Sequence, residues 1–275
     1  MKQVISASRR TDIPAFYLPW FIDRIKEKIV AVSNPFNRNQ IRQVSLAAAD
    51  VAWIVFWSRN YHIFLKHRAY FESYRLFFHF TINPPHKFLE PDMIRPDQAF
   101  SQLEKLVKYY GPEVISWRYD PLVFFRHKDQ IETNHDIDLF QQFIRFASGL
   151  GLRTCTISVA FLYPKVLKRA EKQKNLTFVT PDTDMRNKLL TEMTDVASLY
   201  GIQLNSCSNN ALLEISGIRQ GRCIDGTLLN RLGPDRVSEK SLPTRTDCGC
   251  TASVDIGDYV NTACRYHCLY CYARK

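Results

Sequence analysis

The residues with the most chemistry in this sequence are its cysteines. There are eight in 275 residues, and five of them (Cys248, Cys250, Cys264, Cys268 and Cys271) fall within the last 28 positions. Cys264, Cys268 and Cys271 form a C-x3-C-x2-C string, with His267 before the second cysteine and Tyr270 before the third. Three thiolates in one short loop can hold three irons of a cubane iron–sulfur cluster. The fourth iron is then left open to an exchangeable ligand. Zinc asks instead for four ligands, often in paired C-x2-C knuckles. Only Cys268 and Cys271 make such a pair, with His267 near enough in sequence to be recruited. Structural disulfides are rare in cytosolic chains, so clustered cysteines there point to metal or redox chemistry.

The remaining five cysteines divide further. Cys155 lies in a β-branched run and reads as a core residue. Cys207 and Cys223 end one strand-like run and open the next helical one, and Cys248 and Cys250 make a C-x-C loop. These four are expected to ligate an auxiliary 4Fe–4S cluster, with a zinc site or free thiols as the alternative.

The elements that must position these groups alternate along the chain. Strand-like runs cover Val4–Ser8, Val51–Trp57, Leu76–Ile82, Val114–Tyr119, Thr154–Phe161 and Ile202–Cys207. Two shorter extended pieces, Ile29–Ser33 and Ile41–Leu46, flank the turn Asn34-Pro35-Phe36-Asn37. Helical periodicity covers Phe16–Lys28, Ile63–Tyr74, Pro96–Tyr110, Ile137–Ser148, Asp182–Tyr200 and Cys223–Leu232. In the long helix the expected buried stripe is Met185, Leu189, Met193 and Val196. Repeated strand–helix alternation implies a parallel sheet with helices outside it. The expected fold is α/β: a partial (β/α)6 TIM-type barrel over residues 1–233. An irregular cysteine-rich segment, residues 234–275, packs at its mouth as part of the same compact unit.

In such folds ligands bind at the carboxyl ends of the strands. Those ends carry Arg9–Asp12, Trp57–Asn60, Thr81 and Asn83, Trp117–Asp120, Ser158, and Asn205–Cys207 with Asn209. By position alone Arg10, Arg118, Asp120 and Asn205 are candidates for ligand contacts. Arg118–Asp120 and Arg9–Asp12 could equally be buried ion pairs. No glycine-rich dinucleotide fingerprint follows the first strand and no phosphate loop occurs, so a nucleotide-dependent dehydrogenase loses its main support.

The formal net charge is +10. The excess sits in residues 1–128, with 19 basic against 11 acidic side chains. Such a half can favour nucleic acid or another anion, or be a plain basic surface. No apolar run reaches the ~18 residues needed to span a bilayer. The start, MKQVISASRRTD, has charges where a signal peptide needs its apolar stretch, so a cytoplasmic location without a membrane partner is expected.

The wider tail, from His267 through Tyr270-Cys271-Tyr272-Ala273-Arg274, resembles the radical S-adenosylmethionine (SAM) superfamily, in particular its spore-photoproduct-lyase and photolyase-like branch. The whole chain resembles an uncharacterised bacterial family with the cluster motif at its carboxyl end. The shared strings are Ser6–Pro14, Trp117–Pro121, Cys248–Cys250 and Asp255–Tyr259. The superfamily normally carries its cluster loop after the first strand, where this chain has Arg9-Arg10-Thr11-Asp12. No Gly-Gly-Glu string follows the second strand to hold the methionine amine.

The resemblance implies a six-unit β/α barrel and a 4Fe–4S cluster on Cys264, Cys268 and Cys271. It implies reductive cleavage of SAM to a 5′-deoxyadenosyl radical, with electrons from a flavodoxin or ferredoxin. It also implies adenine contact by the Tyr270 backbone. Arg10, Arg118, Asp120 and Asn205 would then meet SAM or substrate, and Tyr119, Tyr259 or Cys155 could return a hydrogen atom. A nucleic acid, a peptide and a small molecule all stay open as substrate. The competing class is a non-catalytic iron–sulfur or zinc protein whose cysteine tail is a structural plug.

Overall fold

The structure is a computed structural model that describes residues 1–34, 37, 39–173, 176–242 and 245–274. In chain order it runs β1 (Gln3–Ala7), α1 (Ile13–Phe16), α2 (Leu18–Glu27), β2 (Ile29–Ser33), β3 (Ile41–Ser45) and β4 (Val51–Ser58). Then come α3 (His62–His67), β5 (Leu76–Thr81), α4 (Pro96–Tyr110), β6 (Ile115–Leu122), β7 (Phe124–His127), β8 (Gln130–Thr133) and α5 (Ile137–Gly149). The chain closes with β9 (Thr154–Val159), α6 (Pro164–Ala170), β10 (Leu176–Phe178), α7 (Thr183–Leu199), β11 (Gln203–Ser206), β12 (Ile218–Gln220), α8 (Gly226–Leu232) and β13 (Val254–Asp255).

Eight of these strands form one sheet, in the order β12-β11-β9-β6-β5-β4-β1-β13. Every neighbouring pair is parallel. From β1 to β12 each new strand is laid beside the previous one, and β13 alone is added on the far side of β1. The fold is therefore mixed α/β around a large parallel sheet. The edge strands β12 and β13 share no ladder, and no closed barrel forms among the described residues. A six-strand expectation falls short because β12 and β13 are three and two residues long. Such pieces are too short to show a hydrophobic period. β7 and β8, which form a small antiparallel sheet with β10, are a second addition.

Alternation along the strands sends odd and even residues to opposite faces. One face carries Ile5, Ile54, Phe56, Phe78, Phe80, Trp117, Tyr119 and Ile157, and these join the principal core with Phe21, Phe64, Leu106, Phe140, Ile144, Leu190 and Met193 of the helices. The opposite face carries Val4, Val55 and Phe77, covered by Ile224, Leu229, Val237, Cys248 and Cys250 of the carboxyl-terminal quarter. Arg118, Asp120, His79 and Ser158 alternate onto this second face. The strand-end polar groups thus lie under the carboxyl-terminal quarter, on the face opposite the helices of the principal core.

Several expected boundaries shift for local reasons. The helical run expected over Phe16–Lys28 is α2, and a separate short helix α1 precedes it, with a proline at the start of each. The run from Ile63 to Tyr74 is regular only as far as His67 and then tightens into a 3-10 turn, Arg68–Phe71. α4 matches expectation and stops at Gly111, whose φ of 84° suits glycine. α7 buries Leu190, Met193 and Ala197, while Met185 is 36% exposed, so its stripe is rotated from the expected one. Cys223 stands outside the last helix, which begins at Gly226 behind the Asp225 cap. The turn at Asn34–Asn37 falls partly outside the described residues. No helix among those described is long and apolar enough to cross a membrane.

Candidate functional site

The C-x3-C-x2-C residues occupy an irregular loop, so side-chain ties must hold it. The Arg169 guanidinium donates to three carbonyls of the loop: Leu269 at 3.1 Å, Cys271 at 2.9 Å and Arg274 at 2.8 Å. The Leu269 amide donates to the Leu89 carbonyl at 2.9 Å. His267, with a φ of 55°, sits 2.7 Å from Asp92, so its ring is engaged there. Tyr266, Cys268, Leu269 and Tyr270 pack into an apolar bed with Ala15, Leu89, Val123, Phe125 and Val166.

This bed lies just past the end of β1. Tyr272 donates to the Arg9 carbonyl at 3.1 Å, and Tyr17 to the Ala263 carbonyl at 2.5 Å. The Phe16 and Tyr266 rings meet at 4.6 Å. The loop at the end of the chain is therefore seated on the segment Arg9–Tyr17.

A buried ionic group underlies the loop. Arg59 lies 2.9 Å from Glu90 and donates to the Tyr270 hydroxyl at 2.8 Å; that hydroxyl donates to Glu90. Burial opposes the Arg59 charge, but Glu90 and the neighbouring phenols and thiol hold it well above its ordinary value. Burial pushes the Cys264 thiol up to about 12 and raises Cys268 too, while the Arg59 charge works against both shifts. Metal binding requires the thiolates, so Arg59 favours the ligating form. Asp12, beside Cys264, is pushed up to about 6 by burial, against hydrogen bonds from the Arg59 amide (2.8 Å), the Ser58 hydroxyl (2.7 Å) and the Ala15 amide (2.9 Å).

The other four cysteines are brought together by the sheet. Cys207 follows β11, Cys223 follows β12, and Cys248 and Cys250 precede β13. The Cys207 and Cys223 Sγ atoms are 3.2 Å apart. Cys223 interacts in turn with Cys250, and Cys250 with Cys248. Contact with Cys223, then burial, raises Cys207. The Arg118 guanidinium donates to Cys223 Sγ at 3.1 Å and to Asp120 at 2.7 Å, and Arg245 reaches Cys207 Sγ at 3.6 Å. Burial disfavours the Asp120 carboxylate, but Arg118 and the Ser158 hydroxyl outweigh it and hold the carboxyl below its ordinary range. His79 lies 2.6 Å from the Cys223 carbonyl; burial, then the Arg118 charge, lowers it to about 3.

Of the other candidates, Arg10 donates to the Gly257 carbonyl at 3.1 Å and faces the Tyr259 ring at 5.8 Å. Asn205 is half-buried on β11, opposite Arg219 of β12. Tyr119 lies on the helix-covered face and bonds His135 at 3.0 Å, and Cys155 is fully buried in the same core. Both therefore lie on the sheet face opposite the second thiol group. Tyr259 packs edge-on to Tyr272, next to the tail loop.

Sequence reasoning missed Glu90, Arg169 and Arg245, and left Arg59 as one strand-end residue among many. It also missed the reason for two of the quoted strings. Asp255 accepts from the Ser6 hydroxyl (2.7 Å), the Ser8 hydroxyl (2.6 Å) and the Arg9 amide (2.9 Å). A Cβ at Gly257 would collide with the Ser8 hydroxyl. The Ser6–Pro14 and Asp255–Tyr259 strings are thus two halves of one buried joint between β1 and β13.

Among the described residues no three His, Cys, Asp or Glu side chains gather around a single metal position. The tail's donor set nevertheless fits an iron–sulfur cluster: three soft thiols on one loop, which a cubane would take on separate irons.

Residues 4–273 match the family described as "Domain of unknown function (DUF1848)". No curated protein matches the chain. Among solved structures, one similar chain is that described as "Crystal structure of D-hydantoinase", at 13% identity and a TM-score of 0.33. That match covers 62% of this chain and 39% of the other. With the family match running nearly end to end, the chain belongs to the DUF1848 family.

Proposed function

We propose that this member of the DUF1848 family is a radical SAM enzyme, with Cys264, Cys268 and Cys271 as ligands of a 4Fe–4S cluster. The observation that carries this reading is where the tail loop sits. The sequence moves the motif to the far end of the chain, yet the fold returns it to Arg9–Tyr17, directly after the first strand. That is where the superfamily resemblance expects a cluster loop. The single winding direction from β1 to β12 supports a partial β/α barrel opened between its edges.

When bound and reduced, such a cluster supplies an electron that splits SAM into methionine and a 5′-deoxyadenosyl radical able to take a hydrogen atom from substrate. The chain's own residues prepare the site. Arg59 favours the thiolate forms of Cys264 and Cys268, Arg169 fixes the loop backbone, and the apolar bed of Tyr266, Leu269 and Tyr270 excludes water. Arg10, Arg118, Asp120 and Asn205 lie toward the carboxyl edge of the sheet and are the proposed contacts for SAM or substrate. The Tyr270 backbone is the proposed adenine contact. A flavodoxin or ferredoxin would deliver the electron.

Anaerobic reconstitution with iron and sulfide, followed by reduction and electron paramagnetic resonance, tests the reading. The expected result is a reduced-cluster signal that changes on adding SAM and is lost in Cys268→Ala. A signal indifferent to SAM would favour the structural iron–sulfur protein instead.

A further inference from the structure

We infer that Cys207, Cys223, Cys248 and Cys250 are a second centre for a soft metal, and that its role is to clasp the two open edges of the parallel sheet. The sheet ends on one side at β12 and on the other at β13, with no ladder between them. Cys223 lies shortly beyond β12 and Cys250 shortly before β13, so one set of four thiols draws on both edges and, through Cys207, on β11. Three of the four are buried and the fourth is half-buried.

The backbones of these two approaches already meet. The Thr251 amide donates to the Ile224 carbonyl at 2.9 Å, and the Gly226 amide to the Thr251 hydroxyl at 3.0 Å. The Ile224 amide points at Cys250 Sγ at 3.5 Å. Arg118 and Arg245 add charged donors to Cys223 and Cys207. Donors of this kind to sulfur orient thiolate ligands and tune their affinity.

The donor set is sulfur only, which selects zinc or iron–sulfur over hard cations. The thiols follow one another as a chain, Cys207 to Cys223 to Cys250 to Cys248, and binding draws them onto the metal by side-chain rotation. At 3.2 Å the Cys207 and Cys223 sulfurs are closer than two thiolates on tetrahedral zinc, which stand roughly 3.8 Å apart given bonds of about 2.3 Å, so a bound metal would part them by a small side-chain rotation. Because a structural site forms only in the folded chain, its binding energy adds to folding. The inference is independent of the tail loop and of the proposed reaction.

The test uses the full chain carrying Cys264→Ala, Cys268→Ala and Cys271→Ala, which removes the tail's ligands. Its metal and acid-labile sulfide are measured after expression with zinc and iron supplied. The inference expects a soft metal retained in stoichiometric amount and lost on further substitution Cys223→Ser or Cys250→Ser. Zinc without sulfide identifies a single ion, and iron with equal sulfide identifies a cluster. Arg245→Gln is expected to weaken zinc affinity about tenfold.

Should a serine variant fail to fold, alkylation of the otherwise wild-type chain gives the second readout. Metal should protect Cys207, Cys223, Cys248 and Cys250 from alkylation, and a chelator should expose them and lower the unfolding midpoint. A folded, metal-free chain, or retained metal indifferent to Cys223→Ser and Cys250→Ser, would overturn the inference.

Discussion

The two cysteine groups in this molecule are built in opposite ways. The tail group is local: three thiols within eight residues on an irregular loop, held by ties to its backbone and by the buried Arg59, Glu90 and Tyr270 beneath it. After burial, the charge of neighbouring thiols in the group raises Cys264 and Cys268. The second group is assembled from three separate approaches to the sheet, and within it the Cys207 and Cys223 thiols touch. Spaced thiols on a pinned loop suit a cluster with an open iron, whereas touching thiols at a strand seam suit a closed centre that joins elements. Under the two proposals, chemistry falls to the first and fastening to the second.

The strongest way to break that contrast is to delete each group in turn. Cys268→Ala should abolish iron incorporation at the tail and leave the melting midpoint nearly unchanged. Cys223→Ser should spare the SAM-dependent signal and lower the midpoint by several degrees. Equal effects on both readouts would merge the two centres into one.

Next in size is the ionic group under the tail. Arg59→Met leaves Glu90, whose side chain is 3% exposed, as an uncompensated carboxylate. It is expected to cost about 3–5 kcal/mol in urea unfolding. A cost near zero would mean that the pair does not support the loop. Gly257→Ala probes the joint between β1 and β13, where the added methyl meets Ser8. An overpacking loss of about 1–3 kcal/mol is expected. A neutral result would show that the joint has slack.

At neutral pH the smallest effect concerns His79 beside the second group. Its folded-state value of about 3 lies below the ordinary 6.5. The unfolded chain therefore binds a proton that the folded chain refuses. His79 contributes stability above pH 6.5, and that contribution falls as pH drops toward 3. Its share of the slope is at most about 1.4 kcal/mol per pH unit. His79→Gln should flatten the profile in that window, and an unchanged profile would move the titration elsewhere.

The contrast also explains what could be read in the sequence. The central strands β4 and β5 are nearly continuous apolar runs and β9 is rich in β-branched residues, because both faces of a parallel sheet are covered, while β6 shows alternation through Ile115, Trp117 and Tyr119; all four were legible. The helix Pro96–Tyr110 was legible from its proline start, apolar face and Gly111 stop. β12 and β13 were not, since two or three residues carry no period, and their pairing depends on partners far along the chain. The tail thiols were legible because their spacing is local. Glu90 was not, because its partner Tyr270 lies 180 residues away and nothing in the residues around Glu90 marks it. Arg245 was hidden for the same reason: its role exists only once β11 has delivered Cys207.

The central claim, that the tail loop supports SAM cleavage, is tested most directly by product. The chain, purified and reconstituted without oxygen, is given dithionite and SAM, and the mixture is analysed by liquid chromatography and mass spectrometry. The account predicts 5′-deoxyadenosine and methionine in equal amounts, and neither in Cys264→Ala, Cys268→Ala or Cys271→Ala. An intact tail cluster that yields no 5′-deoxyadenosine and binds no SAM would contradict it.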